Sequence, residues 1–94
     1  MATYAVLYND FNSAINSAMD FFFKVFHIPE QHATELQALQ AQADIKRNLA
    51  PMINGYRVNY FNRNIGKPLN QINRSYIIKC CQRIYEILKP NGVN

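Results

Sequence analysis

The chain has 94 residues, of which 49% are hydrophobic and 17% charged, with a formal net charge of +4. That length allows one domain with a modest core and excludes a cleft between two large lobes. The composition is too apolar and aromatic for a disordered chain.

The charge is unevenly divided. Residues 1–45 carry Lys24 against five carboxylates, for −4, while residues 46–94 carry nine bases against Glu86 alone, for +8. Such asymmetry points to a polyanion-binding half or to head-to-tail association between copies. A merely solvated basic face is the competing explanation.

The first predicted element is a helix over residues 3–27. Tyr4, Tyr8, Phe11, Ile15, Ala18, Phe22 and Val25 recur at steps of three and four, the spacing of one helical face. Thr3 suits the N-cap, and Pro29 disfavours helical geometry at the residue before it. The consecutive Phe21, Phe22 and Phe23 point about 100° apart from one another. With Phe26 they are the candidate self-association residues, because a small monomer cannot bury every ring and exposed apolar patches mark partner sites.

A second helix is expected over 30–49, with Pro29 at its start, Glu30 in its first turn, and Lys46 and Arg47 in its last. Its stripes are Leu36, Leu39 and Ala43 beside Ala38, Ala41, Ile45 and Leu49. Pro51 is expected to break it. Residues 52–64 are ambiguous: Asn54-Gly55 between Pro51 and the alternation Tyr56, Val58, Tyr60 suggests a hairpin. The spacing of Met52, Tyr56 and Tyr60 suggests a helix, which is the preferred reading. A last helix is expected over 68–89, with Leu69, Ile72, Tyr76, Ile77, Cys80, Cys81, Ile84, Ile87 and Leu88 on one face. Asn73 points toward that face and needs a satisfied amide if buried. Ile78 and Tyr85 lie off it. The expected fold is all-α: a compact, single-domain bundle of three to four antiparallel helices.

Catalytic signatures are absent from the sequence, which holds no nucleophile elbow, Walker loop, dinucleotide fingerprint or zincin motif. The expected protein is therefore not an enzyme and takes no cofactor or metal. His27 and His32, near Glu30 and Glu35, straddle a helix break, which suits a polar elbow better than a metal site. The adjacent Cys80 and Cys81 read as buried free thiols in a reducing, intracellular compartment. No stretch approaches the ~20 apolar residues of a membrane span, and nothing at the start resembles a signal peptide.

The best functional signal is in the basic half. Arg57, Arg63, Lys67, Arg74, Lys79 and Arg83 are candidate phosphate contacts, and Tyr56, Asn59 and Tyr60 are candidate stacking or polar contacts. The expected function is a non-enzymatic binding and assembly protein whose C-terminal half contacts nucleic acid. The alternative is a protein–protein module without nucleic acid: an immunity, inhibitor or adaptor protein, or a self-assembling structural subunit. Either a homo-oligomer or a protein partner fits that alternative.

Overall fold

The structure, a computed structural model, describes residues 1–27 and 34–91. Three helices form it: α1 (Tyr4–Val25), α2 (Glu35–Asn64) and α3 (Ser75–Leu88), with single 3-10 turns at Leu69–Gln71 and Lys89–Asn91. Among the described residues there is no strand, so the chain is a single all-α domain. No helix among them is long and apolar enough to cross a membrane. Pro29, Glu30 and His32, where the sequence suggests the start of a second helix and an elbow, lie outside the described residues.

Helix α1 begins where Thr3 Oγ1 accepts from the Val6 N–H. It ends at Phe26, and His27 follows with a left-handed φ of 54°. Its buried face is Leu7, Phe11, Ile15, Met19 and Phe23, continued by Phe26. This corrects the expected stripe by a small rotation. Tyr4, Tyr8 and Val25 are exposed, and Phe22 is half-buried. An apolar arc this broad holds two adjacent stripes of equal spacing. The one without phenol hydroxyls goes inside, where no water need be replaced. Tyr4 and Tyr8 instead flank Phe61, with Tyr4 at 4.7 Å between ring centroids.

Helix α2 is one continuous helix of 30 residues, not a helix, a break and an ambiguous segment. Thr34 Oγ1 caps it by accepting from the Gln37 N–H at 3.1 Å. Pro51 sits exposed inside it. An interior proline removes one backbone donor and costs about 3 kcal/mol; here Leu49, Met52 and Ile53 pack on the core on either side and hold the helix through it. Gly55 is likewise helical, which excludes the hairpin.

The two halves of α2 differ. Residues 35–50 bury no side chain fully, whereas the second half buries Ile53, Tyr60 and Asn64. The helix spans about 45 Å, which gives the molecule its long axis of 48 Å against 22 and 19 Å.

The chain leaves α2 through Gly66, whose φ of 79° a side chain would strain. Ala2 docks on this turn in both directions, donating to the Lys67 carbonyl at 2.7 Å and accepting from the Gly66 N–H at 3.0 Å. Helix α3 starts at Ser75, later than expected, because Pro68–Gln71 turns first and Asn73 Oδ1 accepts from the Ser75 N–H. Asn73 is thus exposed ahead of the helix rather than on its apolar face. Ile77, Cys80, Ile84 and Leu88 are buried as the spacing predicts. Tyr85 leans across to Phe22 and Phe26, at 5.5 and 5.2 Å. Asp10 meets Arg74 near the start of α3 and Phe26 meets Tyr85 near its end, so α3 runs parallel to α1. Helix α2 runs antiparallel to α1, because Asp20 meets Lys46 while Ala2 meets Gly66.

Candidate functional site

The nine candidates of the basic half part company in three dimensions. Tyr60 is fully buried, with its ring 5.9 Å from Phe11 and its hydroxyl donating to Asp10 Oδ2. Burial first, and the Asp10 carboxylate second, push its hydroxyl up to about 12. It cannot stack on a ligand, because it is core. Tyr56 is half-buried against the same core. Arg57 is a structural clamp: Nε and Nη2 donate to Asn12 Oδ1 at 3.1 and 2.9 Å, and Nη1 donates to Asn54 Oδ1 at 3.0 Å. Its guanidinium covers Tyr8 and Phe11. Arg74 pairs with Asp10 at 3.3 Å and Arg83 with Glu86 at 3.4 Å.

Arg63, Lys67 and Lys79 behave differently. They line one small cup with Asn73, Ser75 and Tyr76, about 210 Å³ in volume. None of the three has a carboxylate partner among the described residues. Each comes from a different element: Arg63 from the last turn of α2, Lys67 from the turn after it and Lys79 from α3.

The cup is held by ordinary structural bonds. Arg63 lies over the Tyr76 ring at 4.7 Å, a stacked cation–π geometry that orients the guanidinium. Asn59 Nδ2 donates to the Tyr76 hydroxyl at 3.1 Å, which brings a fourth candidate to the edge. Asn64, buried and not singled out by the sequence pattern, ties the base. Its Nδ2 donates to the Tyr60 carbonyl at 2.9 Å, and its Oδ1 accepts from the Asn73 N–H at 3.1 Å. An asparagine repeated so often in this stretch gives no sign of which copy is buried.

A larger cleft of about 580 Å³ lies between α1 and α2, around Pro51. The sequence pattern does not reveal it, because its residues come from two distant segments. Ile15, Met19 and Ile53 close its base as core residues, Ala50 and Pro51 supply its exposed apolar surface, and Asn12, Asn16 and Asn54 bring amides to it. Its cations are already engaged. Lys46 pairs with Asp20 at 3.1 Å, Arg47 with Asp44 at 3.0 Å, and Arg57 is the clamp described above.

The four candidate self-association rings also separate. Phe23 and Phe26 are core residues of the monomer, and Phe22 is half-buried against Tyr85. This corrects their assignment as surface contacts. Phe21 alone is open, 61% exposed.

Both thiols are unpaired. Burial pushes Cys80 up, with Cys81 a smaller cause, and pushes Cys81 up as well. That is the opposite of an activated thiolate. Among the described residues no three His, Cys, Asp or Glu side chains group as a metal site. Comparison with protein-family models, curated proteins and solved structures finds no match to the chain.

Proposed function

We propose that the chain is a non-enzymatic nucleic-acid-binding protein that grips backbone phosphate at the cup of Arg63, Lys67 and Lys79. The single observation carrying this reading is that these three cations converge with no carboxylate to answer them. Like charges brought together repel, whereas Lys46, Arg47, Arg74 and Arg83 each have an acid beside them. A cluster left unneutralised suits an external anion. Its volume is below the ~300–1,000 Å³ of clefts that take whole small-molecule ligands. It is on the scale of a phosphate group with attached waters. Arg63 offers a planar fork for two phosphate oxygens, and the lysines add point charges.

Nucleic acid is favoured over a free anion by the surroundings. Between Asp44 and Glu86 the chain has no acid at all, while Asn54, Asn59, Asn62 and Asn70 add neutral donors along the same region. The test is fluorescence anisotropy of the nuclease-treated protein with a labelled random-sequence oligonucleotide at two salt concentrations. Binding that weakens steeply with salt supports the reading. No binding at low salt overturns it.

A second reading has its own observation. Leu36 and Leu39 on the bare first half of α2 are exposed, Leu36 to 78%. Together with Phe21 they favour a protein–protein module that self-associates through this end. A mass that rises with concentration without nucleic acid supports that reading, and a monomer at every concentration overturns it.

A further inference from the structure

The large cleft between α1 and α2 differs from the cup in what it offers. Its cations are neutralised or clamped, so it has little to give a phosphate. What remains is the exposed apolar surface of Ala50 and Pro51 above the buried Ile15, Met19 and Ile53, with the amides of Asn12, Asn16 and Asn54 around it. Asn12 and Asn54 each commit a carbonyl oxygen to Arg57, which fixes those amides in place. Fixing the oxygen leaves each NH2 group as a donor. The volume of about 580 Å³ lies within the ~300–1,000 Å³ of clefts that take small-molecule ligands.

A flat, apolar ring with acceptors and donors on its edge is what such a site complements. Nucleobases have that chemistry, but only when unstacked, because within a duplex both faces are covered. We infer that this cleft takes one unstacked nucleobase, and that the nucleic acid the protein holds is therefore single-stranded. The inference rests on the phosphate reading of the cup and adds the strandedness of the ligand.

The placement of the two sites agrees with one strand serving both. Arg57 at the cleft and Arg63 at the cup are separated by about 9 Å along the α2 axis. The short path round the helix between them is closed by buried Tyr60. The open path crosses the exposed side chains of Val58, Asn59 and Asn62, which carry no negative charge. A duplex is too stiff to follow that curve around one helix, whereas a single strand bends around it.

The experiment compares a labelled single strand with the same sequence as a duplex, at one salt concentration, for the wild type, Ala50→Trp and Asn16→Ala. Ala50 lines the cleft from the exposed surface of α2, so the indole fills the cleft from outside without replacing a core side chain. Circular dichroism checks that each variant keeps its helices; Asn16→Ala, exposed on α1, serves if the tryptophan disturbs them. A parallel arm adds a nucleoside monophosphate and follows the asparagine side-chain amides by NMR.

The expected result is that the wild type binds the single strand about tenfold more tightly than the duplex. Ala50→Trp removes that preference and leaves duplex binding within about twofold. Asn16→Ala moves it the same way by less, and the monophosphate shifts the amides of Asn12, Asn16 and Asn54. Equal binding of both forms, a preference that survives a filled cleft, or amides that stay still overturns the base-binding cleft while leaving the phosphate cup standing. Binding of neither form overturns both.

Discussion

The cup and the cleft each gather three cations and leave them in different electrostatic surroundings. At the cleft, Lys46, Arg47 and Arg57 are answered by Asp20, Asp44 and two asparagine carbonyls. At the cup, Arg63, Lys67 and Lys79 are answered by nothing acidic among the described residues. Counting basic residues along the chain therefore overstates the binding surface. What matters is which cations the fold leaves without a partner. Surface ion pairs are weak, about 0–1 kcal/mol, so the paired cations can still be recruited; but a ligand must break a pair to use them.

The largest expected effect separates the two sites directly. The triple variant Arg63→Gln, Lys67→Gln, Lys79→Gln should weaken oligonucleotide binding by about a hundredfold or more at low salt. The matched triple Lys46→Gln, Arg47→Gln, Arg57→Gln removes equal charge and should weaken duplex binding by less than about tenfold. Equal losses would erase the distinction and leave only net charge as the cause.

Asn64 sharpens the comparison through stability. Asn64→Ala strips two hydrogen bonds from a buried position and orphans the Asn73 N–H beside the cup. A loss of about 1–3 kcal/mol in denaturant unfolding is expected, together with weaker binding. At the cleft, Asn12→Ala frees a half-buried guanidinium that keeps its bond to Asn54, so it should cost about 1 kcal/mol or less.

The Tyr60–Asp10–Arg74 bridge ties α1 to α2 and to the start of α3 and has a pH signature. Tyr60 holds its proton more tightly folded, at about 12, than unfolded, at the ordinary 10.0. Its contribution is fully present below pH 10 and is lost as pH rises through 12. Urea unfolding followed across that window should show stability falling with pH, and Tyr60→Phe should flatten the fall. A slope unchanged in Tyr60→Phe would remove this group as its source.

The smallest effect concerns the helix that joins the two sites. Gly55 lies in the interior of α2 with open space where a Cβ would stand. Gly55→Ala should therefore raise stability by about 0.5–1 kcal/mol, seen as a higher Tm. A hairpin turn at Asn54-Gly55 needs positive φ and would be destabilised by the same change. The sign of the shift distinguishes the two backbones.

These elements also show how far the sequence can be read. The face of α3 is legible because Ile77, Cys80, Ile84 and Leu88 form one stripe bounded by charged residues. The start of that helix is not, because Pro68 suits a helix opening but heads a 3-10 turn, and the helix begins only at Ser75, whose N–H donates to Asn73 Oδ1. On α1 the expected period is right and the phase is not, since an apolar arc that wide offers two stripes. Local rules make Pro51 and Gly55 breakers, and packing of Leu49, Met52 and Ile53 overrides them.

The site is legible as a region and not as a set of residues. Arg63, Lys67 and Lys79 are among the candidates, but nothing in their spacing distinguishes them from Arg57, Arg74 and Arg83. The difference comes from Asn12, Asp10 and Glu86, which the fold or the helix turn brings alongside the other three. The cleft is invisible to periodicity, because its floor and its amides come from segments about forty residues apart in α1 and α2.

The most direct test of the account is the slope of log affinity against log salt, measured for a single labelled oligonucleotide with the wild type and with the cup triple variant. If the three unpaired cations hold phosphates, replacing them should flatten the slope by about 3, one for each phosphate no longer neutralised. A triple variant that keeps the wild-type slope would contradict the claim that the unpaired cations carry the binding.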